Sequence, residues 1–116
     1  MTQEEKQLLF KDLCARLPYG VKLRYVEDLV VKKESHIITL NNIYLEHILN
    51  GDADIKPYLR PMSSMTEDEW KEYNQIGKSF SFTDEVDWLN EHHFDYRGLI
   101  PMGLALEAPK DMYKTE

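Results

Sequence analysis

The chain has 116 residues, 42% apolar and 30% charged, a balance that supports one globular domain with a core and argues against disorder. Its formal charge of −7 opposes non-specific binding to phosphate backbones. No apolar run approaches the roughly twenty residues of a membrane span, and Glu4, Glu5 and Lys6 precede any apolar stretch, unlike a secretory leader; the single cysteine, Cys14, leaves no internal disulfide, so a soluble protein of the reducing cytoplasm is expected.

The charge is unevenly placed. Residues 1–60 hold nine cations and nine acids, whereas residues 61–116 hold five cations and twelve acids, so the imbalance lies in the second half. An acidic half repels nucleic acid and attracts basic surfaces.

In chain order, Thr2 and Glu5 have capping-box spacing and open a helix. Leu9, Phe10, Leu13, Cys14 and Leu17 supply its apolar stripe, and Pro18-Tyr19-Gly20 ends it. Val21, Leu23 and Tyr25 alternate with Lys22 and Arg24 as a strand with one buried face. A turn is expected at Glu27-Asp28, a second short strand at Leu29–Val31, a break at Lys32–Ser35 and a third strand at His36–Leu40. These strands imply an antiparallel meander, of which a small SH3-like barrel is one form. Residues 43–49 fit helical spacing better than alternation, and Asn50-Gly51 ends them. Pro57 and Pro61 push Lys56 and Arg60 into extended geometry, so residues 54–61 read as a connector between two halves.

The second half reads as helical. Ser64 with Glu67, or Thr66 with Glu69, caps a helix ending at Gly77. A link over 78–82 leads to a helix capped by Thr83, with Val86, Leu89 and Asn90 inward and Trp88 on a flank. Residues 99–106 read as a short helix or packed loop, and the polar tail as frayed. The expected architecture is thus one α+β domain over 1–116: a helix with a small sheet over 1–60, a helical half over 61–110 and a frayed tail over 111–116.

The strings LPYGVK (17–22), KPYLRPMSSMTEDE (56–69) and DWLNEHHFDYRGLIPMGLALEAP (87–109) carry a family resemblance. They resemble a group of short proteins encoded by gut Bacteroidales genomes, their phages and integrated mobile elements. The resemblance covers about 43 residues and implies a prophage or mobile-element setting. It carries no activity and no catalytic residue.

His92-His93-Phe94-Asp95 is the most site-like cluster. On a continuing helix His92 and Asp95 share a face, which would suit a small metal-dependent enzyme at His92, His93 and Asp95. Adjacent histidines diverge by about 100°, however, so a helix C-terminus where histidine suits the dipole, with Asp95 capping the following turn, is the plainer reading and no metal is expected. Cys14 on the apolar stripe reads as a buried, inert thiol. Arg97, one of few cations in an acidic half, reads as an internal ion-pair partner. The aromatics Trp70, Tyr73, Phe80, Phe82, Trp88, Phe94 and Tyr96 exceed what a small helical half can bury, so a leftover patch would meet a protein. Trp88, His92, His93, Phe94, Tyr96 and Arg97 are the candidate partner-binding residues. The acids of 67–91 read as solvated helix faces or as mimicry of nucleic-acid charge.

The chain carries no phosphate loop, G-x-S-x-G, H-E-x-x-H or CxxC. The expectation is a non-enzymatic interaction or accessory module of mobile-element origin, without cofactor, catalytic residue or membrane contact, that meets a protein partner or a second copy. The competing expectation is a nucleic-acid-directed role, either by mimicry or by direct binding, which needs the Lys and Arg of residues 16–33 gathered on one strand face.

Overall fold

The structure, a computed structural model, describes residues 2–28, 33–50, 54–79 and 82–113. Helix α1 (Gln3–Arg16) opens on the expected capping box. The Glu5 amide donates to Thr2 Oγ1 at 3.0 Å and the Thr2 amide to Glu5 Oε1 at 2.8 Å. The same bonds hold the Glu5 carboxyl below its ordinary range. The buried face of α1 is Leu9, Asp12, Leu13 and Arg16, spaced at three and four residues. Phe10 and Cys14 lie round the helix from that face and are exposed, which corrects the expected burial of the thiol. A 3₁₀ turn at Leu17–Tyr19 and Gly20, at φ 69°, end the helix as Pro18 and Gly20 foretell.

Strand β1 (Lys22–Asp28) pairs antiparallel with β2 (Lys33–Thr39) through seven consecutive residues. The turn therefore does not lie at Glu27-Asp28, and Lys33–Ser35 continue the strand that they were expected to interrupt. The strand expected at 29–31 lies outside the described residues. Residues 42–50 form helix α2 (Asn42–Asn50), begun by Asn41, whose Oδ1 accepts from the Tyr44 amide at 2.9 Å.

The largest departure is residues 54–61. They are extended, as the prolines require, but they form strand β3 (Asp54–Pro61), the hub of the sheet and not a connector. Leu23–Val26 of β1 pair antiparallel with Asp54–Pro57. The C-terminal half of β3 pairs in parallel with β4 (Phe94–Asp95) and β5 (Leu106–Glu107). The sheet is mixed, in the order β2-β1-β3-β4, with β5 on β3. β3 occupies the second edge of β1, where a consecutive meander would not place it.

Helix α3 (Glu67–Ser79) uses the second of the two candidate caps: the Glu69 amide donates to Thr66 Oγ1, and the Thr66 amide to Glu69 Oε1. It runs through Gly77, which does not end it. Helix α4 (Phe82–Glu91) contains the position expected to cap it, Thr83, and overlaps the expected link. Among the described residues beyond Glu91 there is only strand, turn and loop, so the helices of the second half, α3 and α4, end at Glu91.

Two apolar clusters result. Leu9, Leu13, Val21, Leu23, Leu45 and Ile48 belong to the first, packed between the helices α1 and α2 and one sheet face. Trp88, Leu89 and Phe94 form the second, with Tyr73, Ile76 and Tyr96 packed on it. Trp88 is 5% exposed, so it is core and not flank. Of the tail expected to fray, residues 114–116 lie outside the described residues, and Tyr113 is fastened to the sheet. Its hydroxyl accepts from the Lys22 amide at 2.6 Å and donates to the Tyr58 carbonyl at 2.7 Å. Those two residues would be the next β1–β3 pair after Leu23–Pro57, so a side chain replaces a rung of the ladder.

Candidate functional site

The residues expected to meet a partner lie where α1, α4 and β4 converge. Asp12 and Arg16 are one helical turn apart on the inward face of α1, and both side chains are fully buried. Asp12 accepts from Arg16 Nε at 2.7 Å, from Arg16 Nη2 at 3.0 Å and from Arg97 Nε at 3.0 Å. Arg16 Nη2 also donates to the Phe94 carbonyl at 2.7 Å. The Tyr96 hydroxyl accepts from Arg97 Nη2 and donates to Asn90 Oδ1. One carboxylate therefore balances two guanidinium groups, and the network ties the N-terminal helix to the segment after α4. Arg97 is the internal ion-pair partner expected of it.

Helix α4 ends because His93 adopts φ 66°, the left-handed region. That turn separates the three residues of the possible metal triad. His92 lies with its ring 4.2 Å from Trp88 and its Nδ1 3.8 Å from Glu69. His93 stacks on Tyr113 at 3.8 Å between ring centroids. Asp95 accepts from the amides of Leu99 and Ile100, both at 2.9 Å, and so caps the following turn. The three side chains face three different partners. Among the described residues no group of three His, Cys, Asp or Glu side chains could hold a metal ion. Phe94 is 0% exposed and, with Trp88, has no face left for another molecule.

A cleft of about 600 Å³ opens beside this network, between the end of β3, the start of α3 and the C-terminal turn. Arg60, Thr66, Glu69, Lys110, Asp111 and Tyr113 line it. Arg60 spans its wall: both terminal nitrogens donate to Glu69, at 2.8 and 2.7 Å, and its Cζ lies 4.2 Å from the Phe94 ring centroid. The Arg60 bonds hold Glu69 down at about 2 against the desolvation that opposes them. Glu69 is thus a fixed anion at neutral pH and cannot deliver a proton there. Burial, with Arg16, His92, Arg60 and Lys22 nearby, pushes His93 down to about 4. It is a neutral imidazole in the folded protein, with a buried Nδ1 that has no partner among the described residues. Burial also raises the Tyr113 hydroxyl, which remains a neutral donor.

Reading the sequence missed Asp12 and Arg16, Arg60 with Glu69, and Tyr113. The first pair had a signal: an acid and a base four apart at positions where the apolar stripe passes. Tyr113 had only its aromatic ring in a polar tail. Comparisons with protein-family models, with curated proteins and with solved structures returned no match.

Proposed function

We propose that this protein is a non-catalytic protein-interaction module, cytoplasmic and of mobile-element origin, with an accessory or regulatory role. The origin rests on the three strings that resemble proteins of Bacteroidales mobile elements. The role rests on one observation above all: Trp70 stands 52% exposed on α3. Its neighbours explain the preference for a partner. Tyr73 lies 6.0 Å away between ring centroids, which widens the aromatic surface, and Glu67 lies one turn back on the same side of the helix. An apolar anchor in the half of the chain that carries the net negative charge fits a partner surface that is apolar at its centre and basic at its rim. The aromatics first expected there, Trp88 and Phe94, serve the core, and Trp70 takes their part.

The test is site-specific photo-crosslinking from position 70 in the native host, paired with affinity purification of Trp70→Ala. The expected result is one stoichiometric crosslinked protein whose recovery falls about tenfold in the variant, about 1.4 kcal/mol. The far-UV spectrum stays unchanged because Trp70 is half-exposed and lies outside the buried cluster, touching its rim only at Tyr73. Equal recovery with the variant, or no crosslinked protein, overturns the assignment.

A further inference from the structure

The outer face and free edge of the sheet carry a second surface. Side chains alternate along a strand, and the buried Val21, Leu23, Ile55 and Leu59 put their set against the helices. Lys22, Arg24 and Val26 therefore share the opposite face with Ser35, Ile37 and Thr39 of β2 and with Lys56 and Tyr58 of β3. Arg24 is the direct cross-strand neighbour of Lys56, and Lys22 lies one rung along. Like charges opposite each other in a sheet are unfavourable unless an anion meets them. Arg24 Nε is buried and has no hydrogen-bond partner among the described residues. On the same face Ile37 is 62% exposed.

Strand β2 ends the sheet, and no described strand pairs with its other edge. The Leu40 amide donates to the Val21 carbonyl, so the even-numbered residues of β2 turn their backbone groups towards β1. Lys33, Ser35, Ile37 and Thr39 turn theirs outward. The register has no bulge, and the strand has neither proline nor glycine, so the outward backbone groups of Ser35, Ile37 and Thr39 can accept another strand.

We propose that β2 receives an extended acidic segment of a partner protein as an added strand, with alternate carboxylates facing Arg24 and Lys22 of β1, behind which Lys56 of β3 adds positive charge. This rests on the interaction-module reading for the class of partner but uses a different surface from Trp70. An added strand lies about two strand spacings, roughly 10 Å, from β1. A glutamate and an arginine side chain close that gap between them, across Ile37. Side chains of the other parity extend the apolar layer of Ile38 and Leu40. A polypeptide is favoured over nucleic acid because the outward amides and carbonyls of β2 match the backbone of an added strand, which a sugar-phosphate chain lacks. A second copy is disfavoured because its own β2 would bring Ser35, Ile37 and Thr39, and no carboxylate, to that face.

The test is fluorescence anisotropy of the full chain at low salt with three labelled probes. These are a ten-residue Glu-Val repeat, the same peptide with every backbone amide N-methylated so that it cannot complete a ladder in either strand direction, and oligo-dT. The expected result is binding of the unmethylated Glu-Val peptide alone, weakened about tenfold or more in the double variant Lys22→Gln, Arg24→Gln and weakened by added salt. Ile37→Pro removes an outward amide and abolishes binding; should that variant not fold, the N-methylated probe asks the same question of the native chain. Equal binding of the N-methylated peptide, tighter binding of oligo-dT, self-association through β2, or no binding overturns the proposal. None of these outcomes bears on the crosslink from position 70, so the two readings fail separately.

Discussion

Asp12 is the shared acceptor of Arg16 and Arg97, and it is fully buried. Asp12→Asn removes the negative charge and leaves two guanidinium groups without their counter-ion. A loss of about 3–5 kcal/mol in urea unfolding is the expected outcome. His93 supplies a different residue-scale effect. Its pKa is about 4 in the fold and near 6.5 unfolded, so the unfolded chain binds the extra proton between those values. Stability falls as pH drops from about 6.5 to 4, by on the order of 2 kcal/mol after allowance for partial exposure. His93→Asn tolerates the left-handed backbone and should flatten that slope in unfolding midpoints measured from pH 7 to 4. Glu69 acts in the next window down. Its pKa is depressed to about 2, so its contribution is complete above about 4.5 and is lost as pH falls towards 2. Arg60→Gln should remove that second decline from the same titration. The internal role of Arg97 was legible from the scarcity of cations around it. The burial of Asp12 and Arg16 was not, because an i,i+4 acid–base pair on a helix is far more often a solvated one.

At the scale of elements, local chemistry marked starts better than ends. Both capping boxes, the stop at Gly20 and the turn built on Asp95 follow from groups a few residues apart, and all are present. Gly77 misled because a glycine inside a helix costs only about 1 kcal/mol, which flanking turns can offset. The role of residues 54–61 was hidden for a deeper reason. Prolines at 57 and 61 disclose extended geometry, but pairing depends on β1, β4 and β5, which lie far away in sequence. Tyr113 is the clearest element-scale test. Tyr113→Phe keeps the ring against His93 and removes only the hydroxyl that bridges Lys22 and Tyr58. The variant should lose about 1–3 kcal/mol. Amide hydrogen exchange should show protection lost at Lys22 while Leu23–Val26 stay protected.

Across the whole molecule, two apolar clusters are joined through the Asp12 network and the short β3–β4 pairing. The second cluster has only three buried side chains, Trp88, Leu89 and Phe94, so its cooperativity with the first depends on that join. In a Trp70→Phe background, Trp88 emission reports the second cluster and far-UV ellipticity the whole chain. The two transitions should coincide in urea and separate when Asp12→Asn is added. The α+β class and the N-terminal helix could be read from periodicity alone. The mixed sheet could not, because its parallel rungs join β3 to residues some thirty or more positions later.

The fastening at Tyr113 also bears on how quickly the molecule assembles. The hydroxyl reaches Lys22 across 91 positions, and Arg16 reaches the Phe94 carbonyl across 78. The hairpin of β1 and β2 can zip early, but β3 must await segments made much later, so folding belongs to the slower regime of long-range topologies. During that delay the strand edges stand open to neighbouring chains, and dilute, rapid refolding should recover more monomer than concentrated refolding does.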